Sequence, residues 1–503
     1  MNPISCFYDF NFRYIRDMKK RWLLFFLAIP ALGQAQKDSL VVDWGQTQLI
    51  SKSVATLQVV VNPPLRRGSP IHDPSFAALA ALGCDYVRYV PWLPYPKLAV
   101  AELRPPADRQ TSWDFSLIDP MTLDFLQATK GHPVILNFST IPAWMYKTEK
   151  PVAIPVNADS VVWDYTQGTA PRDSTCAEIG NYYARLYSWY TKGGFKDELG
   201  KEHTSGYHYD IPYWEVLNEV DFEHSNTPET YTRIYDAVVG SIRKVSPETK
   251  FVGMALAYPD RPEWFEYFLN PANHRPGIPL DMISYHFYAS GSIQQGTPVM
   301  QYTFFDQADG FLKEVKFIES IRKRLSPSTR TTVDEIGSIL SSDNGPSDAN
   351  IPDDYWNVSG ALYAYVYLGL VRMGIDLIGE SQLVGYPTQF PSVSMINWKT
   401  GKPNARYWVL KLIHDNLGPG DALVNTSVVG DGLVAQGFST ARGKRVLLIN
   451  RSNRPIMLAL PSALQGARFS VVDVSTGDNE AVSSAIGGPG IELKPLAVGV
   501  ISF

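Results

Sequence analysis

Eight short runs of apolar, mostly β-branched residues alternate with longer stretches of helical spacing along most of this chain of 503 residues. Each run is almost continuously apolar, which is typical of strands buried on both faces. The predicted strands are residues 56–62, 86–90, 134–139, 213–219, 250–256, 282–288, 331–337 and 377–384. The predicted helices between them include residues 75–82, 120–129, 228–245, 311–325 and 359–373. Eight strand–helix repeats predict an α/β protein with a (β/α)8 TIM barrel and enlarged loops.

A doubly wound open sheet is the competing fold for such a pattern. It requires a glycine-rich phosphate-binding turn after an early strand, and residues 59–67 contain no glycine. The sequence therefore favours the barrel, which we expect to occupy residues 51–417 and to close with a helix at residues 404–416.

The pattern changes at residue 418, where Gly418-Pro419-Gly420 is followed by short alternating runs with many turn residues. These runs are residues 432–438, 445–450, 456–460, 469–474 and 498–503. Such spacing predicts a C-terminal all-β sandwich domain at residues 418–503. Because this module is small, residues 39–50, ahead of the barrel, are a candidate for one further strand.

The N-terminus has the pattern of an export signal. Lys19, Lys20 and Arg21 precede an apolar run from residue 22 to about residue 32, and Gly33-Gln34-Ala35 resembles a cleavage site. We expect a signal peptide at residues 1–35, and hence a secreted or periplasmic protein. The apolar run is too short to remain as a membrane span, so no stable span is expected after cleavage.

Charge and composition exclude several classes of partner. The formal net charge is -5 at pH 7, which argues against a nucleic-acid ligand. The eight histidines are scattered without metal-ligand spacing, and no nucleotide-binding motif occurs, so no metal or cofactor is predicted. The oligomeric state stays open.

Two predicted strands carry a glutamate at the carboxyl end, where barrels of this kind place their catalytic groups. Glu219 is the last residue of the fourth predicted strand, and Glu335 lies near the end of the seventh. Taken singly, either one is explained equally well as a surface residue or an ion-pair partner. Together they form a specific pair. Strand alternation predicts that only one of the neighbours Asp334 and Glu335 faces the barrel mouth.

Around these glutamates the sequence resembles the retaining glycoside hydrolases of the (β/α)8-barrel clan A. It is most similar to glycoside hydrolase family 39, the β-xylosidase and α-L-iduronidase group. Residues 215–221 read EVLNEVD where that family usually reads E-V-W-N-E-P-[ND], and residues 284–288 resemble its sixth-strand segment S-x-H-x-Y. Leu217, Val220 and Asp334 depart from the family pattern, which commonly has Thr at the position of Asp334.

The resemblance implies cleavage of O-glycosidic bonds in plant- or host-derived oligo- or polysaccharides by double displacement. Glu335 would be the nucleophile and Glu219 the acid/base. Asn218 would hydrogen-bond the 2-hydroxyl of the sugar, and Arg88 would help to keep the nucleophile ionised. The resemblance does not specify the sugar, the linkage, or exo versus endo action.

Further candidate substrate-binding residues follow from their positions at strand ends. His286 and Tyr288 end the sixth strand, and one of them is expected to hydrogen-bond the nucleophile. Glu380 ends the eighth strand and is expected either to bind a sugar hydroxyl or to pair with an arginine. Trp398 is expected either to form a sugar-stacking floor or to plug the core.

The segments that follow strand ends supply the remaining candidates. Trp144, Trp163 and Tyr165 are candidates for a wall on the leaving-group side. Residues 289–296 and 341–354 are candidates for lids over the site.

Four alternatives compete with a retaining hydrolase. They are a catalytically silent exported carbohydrate-binding barrel, an endo-acting clan A glycanase of another family, a transglycosylase with the same glutamate pair, and an inverting glycosidase. The first predicts binding without turnover. The third predicts competition by sugar acceptors, and the last predicts carboxyl groups about 6.5–9.5 Å apart.

Overall fold

Eight parallel strands close into a barrel in the computed structural model of the protein, which describes residues 38–163, 170–340, 351–385 and 390–503. The predicted signal peptide at residues 1–35 lies outside the described residues, as does most of the predicted lid at residues 341–354. In chain order the strands are β1 (Asp38–Ile50), β2 (Val54–Val60), β3 (Val87–Val90), β4 (Val134–Leu136), β5 (Gly194–Lys196), β6 (Glu202–Thr204), β7 (Tyr213–Glu215), β8 (Lys250–Leu256), β9 (Met282–Gly291), β10 (Arg330–Leu340) and β11 (Leu377–Glu380).

The barrel follows chain order, as β2, β3, β4, β7, β8, β9, β10 and β11, and β11 pairs in parallel with β2 to close it. These are barrel strands one to eight, while β5 and β6 form a separate antiparallel hairpin. All eight predicted strands are therefore confirmed. The fourth is shorter than predicted and ends at Glu215, because Leu217 and Glu219 have φ values of 66° and 41° that extended backbone does not adopt.

Helices surround the barrel and bury apolar faces against it. In chain order they are α1 (His72–Leu82), α2 (Pro96–Ala99), α3 (Asp119–Ala128), α4 (Ala177–Thr191), α5 (Pro228–Val245), α6 (Pro262–Phe268), α7 (Thr297–Leu325), α8 (Asp353–Met373) and α9 (Ala405–Asn416). Local signals set their ends. The Thr227 side chain caps α5 by accepting from the Thr230 N–H, and Gly374 ends α8 at φ 73°. The five helices named from the sequence pattern correspond to α1, α3, α5, α7 and α8.

The interior of the barrel is apolar at one end and polar at the other. Ile135, Tyr213, Val252, Met282 and Leu377 form a buried apolar cluster near the amino ends of five barrel strands. Side chains alternate along a strand, so the next inward-facing residues lie two positions further toward the carboxyl ends. Three of those positions carry polar side chains, Asn137, Glu215 and Ser284, and the site is built on them.

The strands after the barrel form the all-β domain. They are β12 (Ala422–Val429), β13 (Leu433–Thr440), β14 (Gly443–Asn450), β15 (Ile456–Ala459), β16 (Arg468–Val472), β17 (Val482–Ala485), β18 (Gly490–Leu493) and β19 (Val498–Ser502). Together with β1 they make one nine-stranded sheet in the order β17-β16-β19-β14-β13-β12-β1-β15-β18.

Strands from both ends of this sheet share one hydrophobic core. Phe469 of β16 and Leu458 of β15 belong to the same buried cluster, so the sheet folds over itself as a sandwich. The strand ahead of the barrel is part of it, because β1 pairs antiparallel with β12 and parallel with β15. Among the described residues, no helix has the length and apolar character needed to cross a membrane.

Candidate active site

Arg88, on barrel strand two, is the centre of the polar end of the barrel. Its side chain is 1% exposed, and each nitrogen of its guanidinium contacts at least one acceptor. Nε donates to Glu215, Nη2 donates to Asn218 Oδ1 at 2.6 Å, and Nη1 donates to Glu335 Oε1 at 2.6 Å and to Gln58 Oε1 at 2.8 Å. Burial lowers the pKa of Arg88, but the carboxylates of Glu215, Asp334 and Glu335 outweigh it and raise the pKa overall.

Glu215 lies beneath the site and is fully buried. Its Oε2 accepts from Asn137 at 2.8 Å as well as from Arg88, and its Oε1 accepts from Ser284 at 2.5 Å. Burial raises its pKa, yet Arg88 and these donors lower it overall, which favours the carboxylate. Glu215 therefore holds Arg88 in place without reaching the surface of the site.

A β-bulge on barrel strand seven places two neighbouring carboxyl groups on the same side. Val333 pairs with Tyr285 and Glu335 pairs with His286, so Asp334 is the extra residue. Asp334 Oδ2 lies 3.3 Å from Arg88 Nε, and Glu335 contacts the same guanidinium. Both carboxyl groups point toward Arg88 because the bulge interrupts the alternation, but of the two only Glu335 lines the cavity at the barrel mouth.

The neighbouring strand accommodates this bulge through a glycine. A Cβ atom on Gly379 of barrel strand eight would lie 2.8 Å from the backbone oxygen of Asp334. Only a residue without a side chain therefore allows the two strands to approach here. Asp334 itself is 2% exposed, and burial together with the charge of Glu215 raises its pKa well above the usual range.

Replacement of Asp334 by asparagine is expected to raise stability increasingly as pH rises. The folded protein holds a proton on Asp334 that the unfolded chain releases above about pH 4, so this group's contribution to stability falls as pH rises toward the raised pKa. Asparagine cannot ionise and keeps a donor for Glu215. In thermal unfolding experiments, the melting temperature of Asp334→Asn minus that of the wild type should increase from pH 4 to pH 7. A decrease in this difference over the same range would contradict the prediction. The exposed Asp431→Asn is the control.

Glu335 is held by three groups on its two carboxylate oxygens. Besides Arg88 on Oε1, the Tyr288 hydroxyl donates to Oε2 at 2.5 Å, and His286 Nε2 lies 3.5 Å from Oε1. His286 and Tyr288 are two positions apart on barrel strand six and therefore point to the same side. The sequence left open which of the two contacts Glu335, and the structure places both beside it.

Glu219 reaches the site through a tight turn after barrel strand four. Positive φ values at Leu217 and Glu219 turn the chain around Asn218, which brings both Asn218 and Glu219 to the cavity. Asn137 donates to the carbonyl of Leu217 at 2.8 Å, and Asp221 accepts backbone N–H groups of Ala257 and Tyr258 at 2.9 and 3.0 Å. These contacts fix an otherwise unfavourable backbone, as is found at functional sites.

His286 lies between the two glutamates. Its Nδ1 is 3.1 Å from Glu219 Oε1, while its Nε2 faces Glu335. Burial lowers the pKa of His286, but the charge of Glu335 and the contact with Glu219 dominate and raise it to about 9. Burial is the largest influence on Glu219 and raises its pKa, and the charge of Glu335 adds to the rise while His286 opposes it. The environments of the two glutamates thus differ, which favours a protonated Glu219 opposite an arginine-bound Glu335.

The two glutamates are close to each other. One ligand atom from each of Glu219, His286 and Glu335 lies within 4.8 Å of the other two, and among the described residues this is the one cluster that could hold a metal ion. Glu335 already has a cation opposite it in Arg88, and Glu219 is paired with His286. The arrangement can therefore present one carboxylate and one proton donor to a molecule lying between them.

A cavity of about 820 Å³ opens above this pair, at the carboxyl ends of the barrel strands. This volume is suitable for a small ligand. Aromatic rings form one wall, with Trp92 and Trp163 edge to face at 5.2 Å between centroids and Phe390 at 6.0 Å from Trp92. Further rings from loops, from β9 and from α7 line it as well, namely Phe222, Tyr258, Phe287, Tyr288 and Phe311.

Six of the eight predicted site residues meet at this cavity or directly beneath it: Glu219, Glu335, Asn218, Arg88, His286 and Tyr288. Glu380 does not. Glu380 is two positions beyond Ile378 on the same strand, so both side chains face the helices. Its carboxylate pairs with Arg406 of α9 at 3.0 Å, so the structure contains the arginine pair and not the sugar contact. Trp398 packs against the main core and does not line the cavity.

The predicted aromatic wall is also present only in part. Trp163 lines the cavity, whereas the ring of Trp144 packs under Arg172 and its N–H donates to the Glu102 carbonyl at 2.8 Å. Tyr165 lies outside the described residues. Of the predicted lid at residues 289–296, Ser290 lines the cavity.

The polar or aromatic cavity residues that sequence reasoning missed include Gln58, Trp92, Glu223 and Gln382. Gln58 and Trp92 had a usable signal, since a polar residue inside the first predicted strand and a tryptophan just after the second are both unusual for a purely structural role. Glu223 had none, because it lies in a turn whose shape depends on the backbone at Leu217 and Glu219.

No family model matches the sequence, and no curated protein matches it. Solved structures do share the fold. The chain is similar to a GH51 arabinofuranosidase from Xanthomonas axonopodis pv. citri, with a TM-score of 0.62 and 12% identity, covering 92% of this chain and 99% of that one. It is similar to a glucosidase from Croceicoccus marinus, with a TM-score of 0.60 and 16% identity, covering 92% and 98%. A GH30 endoxylanase from Clostridium papyrosolvens C71 gives a TM-score of 0.54 and 13% identity, covering 92% and 99%.

Identities of this size show the fold alone. The predicted fold class, a parallel eight-stranded barrel with an appended all-β domain, is thereby confirmed in both the structure and its neighbours. These neighbours include GH51 and GH30 structures. Family 39 is not shown by these comparisons, and the resemblance to it stays a prediction.

Proposed function

We propose that this protein is a retaining glycoside hydrolase that cleaves O-glycosidic bonds of oligo- or polysaccharides by double displacement. The observation that carries the proposal is the separation of less than 4.8 Å between an oxygen of Glu219 and an oxygen of Glu335. Retaining enzymes hold their carboxyl groups about 5–5.5 Å apart, whereas inverting enzymes leave about 6.5–9.5 Å for a water molecule. The observed spacing favours attack by a carboxylate.

In the first step, Glu335 attacks the anomeric carbon and forms a covalent glycosyl ester. The glycosidic C–O bond breaks, and Glu219 gives its proton to the departing oxygen. Arg88 and Tyr288 hold the two oxygens of Glu335, so the attacking carboxylate is ionised and oriented before the substrate arrives. Asn218, anchored by Arg88, is available to the 2-hydroxyl of the sugar.

In the second step, Glu219 acts as a base. Once it has lost its proton, it takes a proton from a water molecule, whose oxygen attacks the anomeric carbon and releases Glu335. The charge on Glu335 is cancelled while the ester exists, so one of the influences that raise the pKa of Glu219 is removed in this state. The same residue can therefore serve first as acid and then as base.

The neighbours support the reaction class without fixing the substrate. They are described as an arabinofuranosidase, a glucosidase and an endoxylanase, so we propose a carbohydrate substrate of plant or host origin and leave the sugar to experiment. Membership in family 39 rests on residues 215–221 and 284–288. We also propose export to the periplasm or the medium, which rests on the signal-like residues 19–35.

The stereochemistry of the first-formed product tests the mechanism. The full chain is screened against 4-nitrophenyl arabinofuranosides, xylosides, glucosides and galactosides of both anomeric configurations. Proton NMR then follows the anomeric signal of the released sugar before mutarotation. We expect the product to keep the configuration of the substrate. Inversion would contradict double displacement, and binding of oligosaccharides without turnover would favour a silent binding protein instead.

A further inference from the structure

A third carboxyl group faces the cavity next to the proposed catalytic pair. Glu223 lies one turn beyond Glu219, and its backbone N–H donates to the Glu219 carbonyl at 2.7 Å. The indole N–H of Trp92 donates to Glu223 Oε1 at 2.6 Å, which fixes the side chain in the cavity lining. The proposed mechanism gives this residue no role.

The other oxygen of Glu223 lacks a partner. Oε2 is enclosed by protein atoms and accepts no hydrogen bond from any described residue. A buried polar atom without a hydrogen-bond partner is unfavourable, so such atoms in native proteins generally serve a ligand or a water molecule. Because Glu223 lines the cavity, the missing partner is expected there.

The surroundings keep this carboxyl group neutral. Burial and the charge of Glu219 raise the pKa of Glu223 well above the usual range, and hydrogen bonds from Trp92 and Asn218 offset this only in part. A neutral carboxyl group has one O–H donor as well as acceptor capacity. It can therefore both give and accept a hydrogen bond with a sugar hydroxyl.

Among the described residues, the cavity lining has no cation free to pair with an acidic sugar, because His286 already lies between Glu219 and Glu335. Its described charged residues besides His286 are all acidic: Glu219, Glu223, Asp306, Glu314 and Glu335. Arg88 beneath them is committed to protein acceptors. Residues 164–169, 341–350 and 386–389, which lie outside the description, contain three aspartates and no lysine or arginine. A uronate would lose its hydration here without gaining a counter-ion.

From these contacts we propose that Glu223 is a specificity-determining residue that hydrogen-bonds a hydroxyl of an uncharged glycone through its carboxyl group. The location follows from its neighbours, since Glu223 adjoins Glu219 and accepts a hydrogen bond from Trp92. This inference rests on the proposed glycosidase function. It adds that the sugar is neutral and that this carboxyl group hydrogen-bonds one particular hydroxyl of it.

The test uses substrates that lack single hydroxyl groups. The full-length wild type, Glu223→Ala and Glu223→Gln are assayed on the best aryl glycoside, its monodeoxy analogues, and the matching uronide. We expect Glu223→Ala to lower kcat/KM by about 10- to 100-fold, as for a lost hydrogen bond to a buried group. For one deoxy analogue, kcat/KM of the wild type should be lower than on the parent glycoside by a similar factor. Glu223→Ala should cleave that analogue and the parent glycoside with the same kcat/KM. We call the loss of kcat/KM on a deoxy analogue the deoxy penalty. Glu223→Gln is neutral and keeps a hydrogen-bond donor or acceptor. It should therefore retain most activity on the parent glycoside and lose kcat/KM on the same deoxy analogue, as the wild type does.

Glu102 provides a matched control. It is a buried glutamate whose two carboxyl oxygens also lack partners among the described residues, but it does not line the cavity. Glu102→Ala should leave every deoxy penalty unchanged, which separates substrate contact from general damage to the fold. The proposal is overturned if Glu223→Ala keeps all deoxy penalties, if Glu223→Gln behaves like Glu223→Ala, or if the uronide is cleaved as well as the neutral sugar. Wild type that cleaves no glycoside would instead remove the proposed function itself, and this inference with it.

Discussion

Glu335→Ala is expected to lower kcat on aryl glycosides by ~10⁴-fold or more, which corresponds to about 5 kcal/mol of lost transition-state stabilisation. The carboxylate of Glu335 lies on the bulged seventh strand with Arg88 and Tyr288 on its two oxygens, and no other described carboxylate has this placement. Without it no glycosyl ester can form. Steady-state kinetics on the substrate found by the aryl glycoside screen measure the loss.

Azide distinguishes the roles of the two glutamates. A small anion can enter the space left in Glu335→Ala and attack the sugar directly, so we expect azide to restore activity and to give a glycosyl azide of inverted configuration. In Glu219→Ala the ester still forms from substrates with good leaving groups, so azide should give a product of retained configuration. Full activity in Glu335→Ala would show that the nucleophile lies elsewhere, with Asp334 as the next candidate because the bulge turns it to the same side.

The sequence predicted the barrel well because every barrel strand is buried on both faces. Such strands are near-continuous apolar runs, and all eight were located to within a few residues. Arg88, His286 and Tyr288 were candidates because they lie at the ends of the second and sixth strands, and the structure places all three beside Glu335. This part of the site follows from the regular backbone alone.

The remainder of the site depends on irregular backbone, which period-two patterns cannot describe. A strand that continued to residue 219 would send Asn218 and Glu219 to opposite faces, but the positive φ values at Leu217 and Glu219 bring both to the cavity. The bulge at Asp334 likewise needs Gly379 on the neighbouring strand, a contact between residues distant in sequence. Glu223 is inaccessible to sequence reasoning for the same reason.

Two candidate substrate-binding residues, Glu380 and Trp398, do not line the cavity, and the reason is different. Glu380 was selected because it lies at a strand end. Alternation along the strand puts it on the same, helix-facing side as Ile378, where it pairs with Arg406. Trp398 was judged by residue type, and its ring fills the core instead. A charge or an aromatic ring at the end of a strand indicates a site only when alternation also turns it inward.

Arg88→Ala is expected to be the most destabilising single change in the site, at about 3–5 kcal/mol of unfolding free energy. Arg88 is the cation shared by Glu215, Asp334 and Glu335, and all four side chains are buried. Its removal leaves negative charge in a medium of low polarity with nothing to balance it. Urea unfolding followed by tryptophan fluorescence measures the change.

The comparison variant is Arg330→Ala at the opposite end of the barrel. Arg330 pairs with Asp376 at 3.2 Å but is about one-third exposed, so water takes over part of the interaction and we expect a loss of no more than about 1 kcal/mol. Similar losses for the two variants would contradict the central role of Arg88.

The pH dependence shows whether the lost stability comes from charge or from packing. Without Arg88, burial would raise the pKa of Glu215 and the pKa of Asp334 would rise further, so stability would fall as pH rises through this range. The deficit of Arg88→Ala should therefore be larger at pH 8 than at pH 5, and adding Glu215→Gln should recover part of it. A loss independent of pH and unaffected by Glu215→Gln would mean that Arg88 acts by filling space. In that case the ionisation of Glu335 would need another source of positive charge, and His286, whose ring lies 3.5 Å from the same oxygen, is the only other described cation in contact with it.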